Sequence, residues 1–189
     1  MTTREPTVDW QGQLVEQLDW HWRCHARPRL DGLSDDEYRW EPVANCWNVR
    51  PRGAGTAPLQ AGSGAFTCDF ADPEPDPAPV TTIAWRLGHV TVGVFGMRAA
   101  SHFGAPAIDY LTYDYPGGAD EALSNLDATY AAWRDGVRSL DADGLARPVG
   151  PAEGPWHASP MADLVFHINR EAIHHLAEVA LLRDLYANR

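Results

Sequence analysis

The sequence predicts an all-α protein, a four-helix up-down bundle with long crossover connections. Four segments carry apolar residues at helical spacing, and no apolar runs lie between them to build a parallel sheet. Between the first and second segments runs a proline- and glycine-dense stretch that is far too long for a turn. With 44% hydrophobic residues and eight tryptophans, residues 1–189 are expected to form a single domain around one core.

The first helix is expected at roughly 9 to 27, where Trp10, Leu14, Leu18, Trp22 and His25 mark one face and Pro28 stops the run. Asp35, Asp36 and Glu37 read as a short helix start, with acidic residues at its positive end. Residues 41 to 80 end in DPEPDPAPV and form the crossover, with room for short strands around AFTCDF. The second helix, roughly 80 to 102, is capped by Thr81 or Thr82 and turns Ile83, Leu87, Val90 and Val94 inward. An aromatic loop at 104 to 118 follows. The third helix, roughly 119 to 140, repeats Leu123, Leu126, Tyr130, Trp133, Val137 and Leu140. Pro160 opens the fourth, roughly 160 to 187, which carries Leu164, Ile168, Val179, Leu182 and Leu185.

Charge removes several function classes. The 15 basic and 26 acidic residues leave a net charge of −11, and no cationic run offsets it, so nucleic acid is not an expected partner. No stretch approaches the roughly 18 apolar residues of a membrane span, and the opening MTTREPTVDW lacks the apolar centre of a leader, so a cytoplasmic protein is expected. Cys24, Cys46 and Cys68 are odd in number and lack C-x-x-C spacing, which argues against disulfides and thiolate zinc knuckles. A homodimer is compatible with all of this.

The chemistry concentrates near the end, where HINREAIHHLAEVALLRDLY places His167, Glu171, His174 and His175 within nine residues. Leu164, Ile168, Glu171, His175, Val179 and Leu182 step by three and four, so the carboxylate and one imidazole share the inward stripe. A glutamate there calls for a cation. His89, in the otherwise apolar second helix, is the matching donor from a facing helix. Two histidines and one carboxylate suit zinc, with nickel or another first-row divalent ion also accommodated; a hydrogen-bonded polar network is the competing reading. His167, His174 and Asn169 are candidates for orienting the ligands. His21 and His25 lie four apart without a carboxylate, which favours an ordinary helix edge over a second metal. Arg50, Arg170 and Arg183 could bind a polar cofactor, though paired or solvated arginine is commoner, and Arg183 with Asp184 reads as a surface pair.

WNVRP at 47–51, TTIAWRLGHV at 81–90, YPGGADEAL at 115–123 and the terminal motif resemble the DinB-like superfamily of metal-binding helical bundles. Within it the chain is similar to the actinobacterial branch of mycothiol-dependent S-transferases and the metal-binding domain of mycothiol-dependent maleylpyruvate isomerase. The resemblance implies metal ligands at His89, Glu171 and His175, with glutamate at 171 where many members carry histidine. It also implies a mycothiol-like thiol as co-substrate, with Arg50 and Arg170 as candidate binders of that thiol. The isomerase carries a further domain after its bundle, so thiol transfer to a small electrophile is expected here. A metal-dependent hydrolase of a small amide or thiol conjugate, and a non-enzymatic metal-binding stress protein, remain open beside it.

Overall fold

The computed structural model describes residues 8–189; the first seven, part of the opening read above as lacking a leader, lie outside the described residues. Helix α1 (Trp10–His21) starts where the Asp9 carboxylate accepts a hydrogen bond from the Gly12 amide at 2.9 Å. A π-helical turn, Trp22–Ala26, continues it. That wider turn changes the angular step, so Ala26 takes the inward position and His25 is exposed, contrary to expectation. Trp10, at the free first turn, is exposed as well. Helix α2 (Asp35–Tyr38) begins at Ser34, whose hydroxyl accepts from the Glu37 amide at 3.2 Å.

The crossover is more ordered than a strap. It forms strands β1 (Val49–Pro51), β2 (Leu59–Ala61) and β3 (Phe66–Phe70), antiparallel in the order β1-β3-β2, with Cys68 opposite both Val49 and Ala61. The strand expected around AFTCDF is the central one. Buried Asn48 and Asp69 fasten this sheet: the Asn48 side-chain oxygen accepts from the Thr82 hydroxyl at 2.7 Å, and Asp69 accepts from Arg50 Nε at 2.9 Å.

Thr82, rather than Thr81, caps helix α3 (Ile83–His89), accepting from the Trp85 amide at 3.2 Å. A π-helical stretch, Val90–Gly96, joins it to α4 (Met97–Phe103). Helix α5 (Ala119–Arg138) has no side-chain cap of its own; Asp35 of α2 accepts from the Ala119 amide at 2.8 Å instead. The short α6 (Ala142–Ala146) and a 3₁₀ segment, Pro151–Trp156, lead to α7 (Met161–Ala187).

The fold is therefore mostly helical with one small sheet. Both α1 and α3 pack against α5 and α7, and the π-helical stretch after α3 lies against α5. In the core the Trp22 ring stacks on Tyr130 at 3.8 Å, with Phe95 edge-on to both. Asp19 is buried beside them. Burial raises its carboxyl, but hydrogen bonds from Tyr130 (2.6 Å) and Arg23 (2.9 Å) outweigh this and hold it below the usual range.

At the chain's end two expectations change. Arg183 and Asp184 are not a pair: Arg183 clamps buried Glu37 through Nε at 2.7 Å and the carbonyl of Asp31, while Asp184 bonds Arg29. The guanidinium thus spans three backbone segments that sequence spacing could not bring together. Leu185, read with the apolar residues of the fourth helix, is 48% exposed.

Candidate metal centre

Helix α7 supplies most of the site by its own periodicity. Glu171 and His175 lie one turn apart, with Glu171 Oε2 3.3 Å from His175 Nε2. His89, the last residue of α3, faces them, its ring centroid 4.7 Å from that of His175 and at 87° to it. One donor atom from each of His89, Glu171 and His175 falls within 4.8 Å of the others, so one cation could contact all three. Glu171 is less buried than its stripe suggests, with 36% of its side chain exposed, so its desolvation penalty is modest.

The outer nitrogen of each imidazole is already engaged. His89 Nδ1 lies 2.7 Å from the Tyr110 hydroxyl, and His175 Nδ1 lies 2.8 Å from Glu178 Oε2. Arg86 Nη1 approaches the same Glu178 oxygen at 3.2 Å and His175 Nδ1 itself at 3.1 Å, so the guanidinium, the carboxylate and the outer ring nitrogen form one polar cluster. His175 Nε2, on the other side of its ring, faces Glu171 Oε2. Burial, with His175 and Arg86 nearby, pushes His89 down to about 4, so it is neutral at pH 7 and able to donate to a metal. Two imidazoles and one carboxylate, each imidazole with an outer polar partner, fit a divalent first-row ion.

A second cluster of donors, His174, His175 and Glu178, lies on one helix surface. It is the poorer choice, because the Arg86 cation already occupies Glu178 and His174 is 66% exposed.

Sequence reasoning missed Glu178, Arg86 and Tyr110. Glu178 follows His175 by three, the spacing that brings residues together on a helix, and was legible. Tyr110 comes from the 104–118 loop, docked through small-residue notches. A Cβ on Gly93 would come within 1.8 Å of the Tyr110 hydroxyl; one on Gly96 would meet Ile108 at 2.8 Å, and one on Gly88 would meet Tyr115 at 3.1 Å. The glycines run along the helix as their partners run back along the loop. They are the signal that places Tyr110 on His89.

A cavity of about 340 Å³ opens beside His89, walled by Trp47, Phe70, Trp85, Tyr110 and Tyr115 with Glu74 at the polar side. The crossover and the aromatic loop both contribute. The Trp85 and Tyr110 rings lie nearly parallel to the His89 ring, at 19° and 12°. Cys68 also lines the cavity, but burial pushes its thiol far up, so it stays protonated and unreactive.

The remaining candidates fall elsewhere. Arg50 is committed to Glu41 (2.6 Å), Asp69 (2.9 Å) and the Cys46 carbonyl (3.1 Å), and does not line the His89 cavity. Arg170 is exposed on α7 and lines a different cavity. Asn169 turns away from the site to bond the Leu14 carbonyl at 2.9 Å, tying α7 to α1. His167 Nδ1 comes to 3.8 Å of Glu171. His21 and His25 have ring centroids 6.0 Å apart and join no metal-competent cluster among the described residues. Among the described residues no helix is long and apolar enough to cross a membrane.

A search of curated proteins finds no match to the chain. The family model described as DinB superfamily matches residues 17–179, a span that holds His89, Glu171 and His175 and leaves out only the start of α1 and the end of α7 among the helices. The chain belongs to the DinB superfamily.

Proposed function

We propose that this protein is a metal-dependent transferase, built as an up-down four-helix bundle, that activates a low-molecular-weight, mycothiol-like thiol for attack on a small electrophile. The observation that carries the reading is the convergence of His89, Glu171 and His175 from two elements, with the outer nitrogen of each imidazole already bonded. A divalent ion held there, zinc most naturally and nickel or another first-row metal as well, would favour a thiolate over a thiol at neutral pH. Three protein ligands leave an open position, as catalytic rather than structural sites do.

The chain's own residues do the rest. Tyr110 and Glu178 would orient the two rings through Nδ1, which leaves the Nε2 atoms for the ion. Trp47, Trp85 and Tyr115 exclude water on the His89 side, where a thiol's body can lie. The protein's own buried thiols do not compete, since burial raises both Cys46 and Cys68. Arg50 is given no part in thiol recognition, because its fork is filled by Glu41 and Asp69.

The test is cobalt substitution followed by titration with mycothiol and other physiological thiols. Thiol ligation predicts a sulfur-to-metal charge-transfer band, together with thiol consumption when an electrophile is added. A spectrum indifferent to every thiol, alongside turnover of a small amide, would overturn the transferase and make the protein a hydrolase. Indifference with no turnover would leave a metal-binding protein without catalysis.

A further inference from the structure

A second cavity, of about 580 Å³, opens between α4, the 3₁₀ segment before α7 and the first half of α7. Its lining includes Arg98, Arg170, His167 and Trp156. In a chain of net charge −11, most arginines are taken: among the described residues eight besides Arg98 form an ion pair with a carboxylate. Arg170 makes no ion pair or hydrogen bond among the described residues. Arg98 is held loosely: its Nε lies 3.3 Å from Glu153 Oε2 without hydrogen-bond geometry, and that buried nitrogen has no hydrogen-bond partner. Glu153 makes its close contact with His102 instead, at 2.8 Å. Two under-used guanidinium groups therefore line one cavity.

We propose that this cavity binds the carboxylate of a small planar acid, with Arg98 and Arg170 taking the charge and Trp156 covering the planar body. Guanidinium forks match carboxylate geometry, and desolvated charge-assisted bonds are the strong ones. Trp156 is 69% exposed at the rim, an unusual place for so large an apolar face unless something stacks on it. Glu153 and Asp163 also line the cavity, so a monoanion is favoured over a dianion such as phosphate. Gly154, at a φ of +54°, turns the chain between the Glu153 anchor and Trp156.

The cavity adjoins the metal centre, since His167 lines it and stands 3.8 Å from Glu171. The identification of the bound acid as the electrophile rests on the proposed function; the binding itself does not. With the thiol on the His89 side and the acid on the Glu171 side, the two substrates would approach the centre from different cavities.

Calorimetric titration with benzoate, with uncharged benzamide and dianionic phenylphosphate as ring-matched controls, tests this on metal-loaded and metal-stripped protein. Benzoate should bind at one site, about tenfold or more tighter than either control, with Arg98→Gln and Arg170→Gln each weakening it about tenfold, the loss of one charge-assisted bond. Trp156→Ala should weaken it as well, and His89→Ala should leave it unchanged, which separates this site from the metal centre. Arg170 is exposed, so Arg170→Gln keeps the test valid should the Arg98 variant unfold. Absence of saturable benzoate binding, equal affinity for benzamide, or an affinity unmoved by Arg170→Gln would overturn the proposal.

Discussion

The Tyr110 hydroxyl and the Glu178 carboxylate matter because a histidine ligand is only as good as its orientation. Each fixes one imidazole, His89 at 2.7 Å and His175 at 2.8 Å. Tyr110→Phe keeps the ring beside His89 and removes the hydroxyl that bonds Nδ1, so metal affinity should fall about 10- to 100-fold with the fold retained. A chelator competition titration checks it. His89 also gives the metal-free protein a pH dependence. Its folded value, about 4, lies below its ordinary 6.5, so the unfolded chain takes up the proton first. Stability should therefore be complete above about 6.5 and decline as pH falls toward 4. Urea midpoints across that range should show the decline, and His89→Gln, which cannot titrate, should flatten it.

At the scale of elements, helix positions were legible because they depend on local spacing: a threonine cap at 81 or 82 before α3, the acidic start of α2, the inward stripe of α7. What was not legible depends on contact between distant segments. Asp35 caps α5 across 84 residues, Arg183 reaches back to Glu37, and Asn169 ties α7 to α1 rather than serving the metal. The π-helical turns at Trp22–Ala26 and Val90–Gly96 also escaped, since apolar spacing alone assumes a uniform step. The notched face of α3 and its π-helical continuation gives the sharpest element-level prediction. Gly93→Ala gains up to about 1 kcal/mol of helix propensity, but its Cβ would sit 1.8 Å from the Tyr110 hydroxyl, and overpacking of that kind costs about 1–3 kcal/mol. The clash wins. The variant should melt lower than wild type by differential scanning calorimetry, and should also lose metal affinity because Tyr110 is pushed off His89.

For the whole molecule, the candidate metal centre joins α3 to α7 between two cavities of different character, one aromatic and one cationic. The grouping of His89, Glu171 and His175 was legible in the sequence because periodicity put Glu171 and His175 on one stripe and left His89 as a lone polar residue on an apolar face. The cavities were only partly legible: the meeting of crossover and aromatic loop could be anticipated, whereas the 3₁₀ segment carrying Glu153 and Trp156 gave no periodic signal. A ligand that binds only the folded state stabilises it, so stripping the ion should lower the melting temperature, by an amount corresponding to about 4 kcal/mol where free metal stood at 1,000 times its dissociation constant. Glu171 is partly exposed, so the apo protein should remain folded rather than collapse.

The central claim is that one divalent ion binds at His89, Glu171 and His175. Elemental analysis of protein purified without a histidine tag, beside His89→Ala and His175→Ala, tests it most directly. The account predicts about one equivalent per chain in the wild type and near-complete loss in each variant, with helical content retained; metal content unchanged in both variants would contradict it.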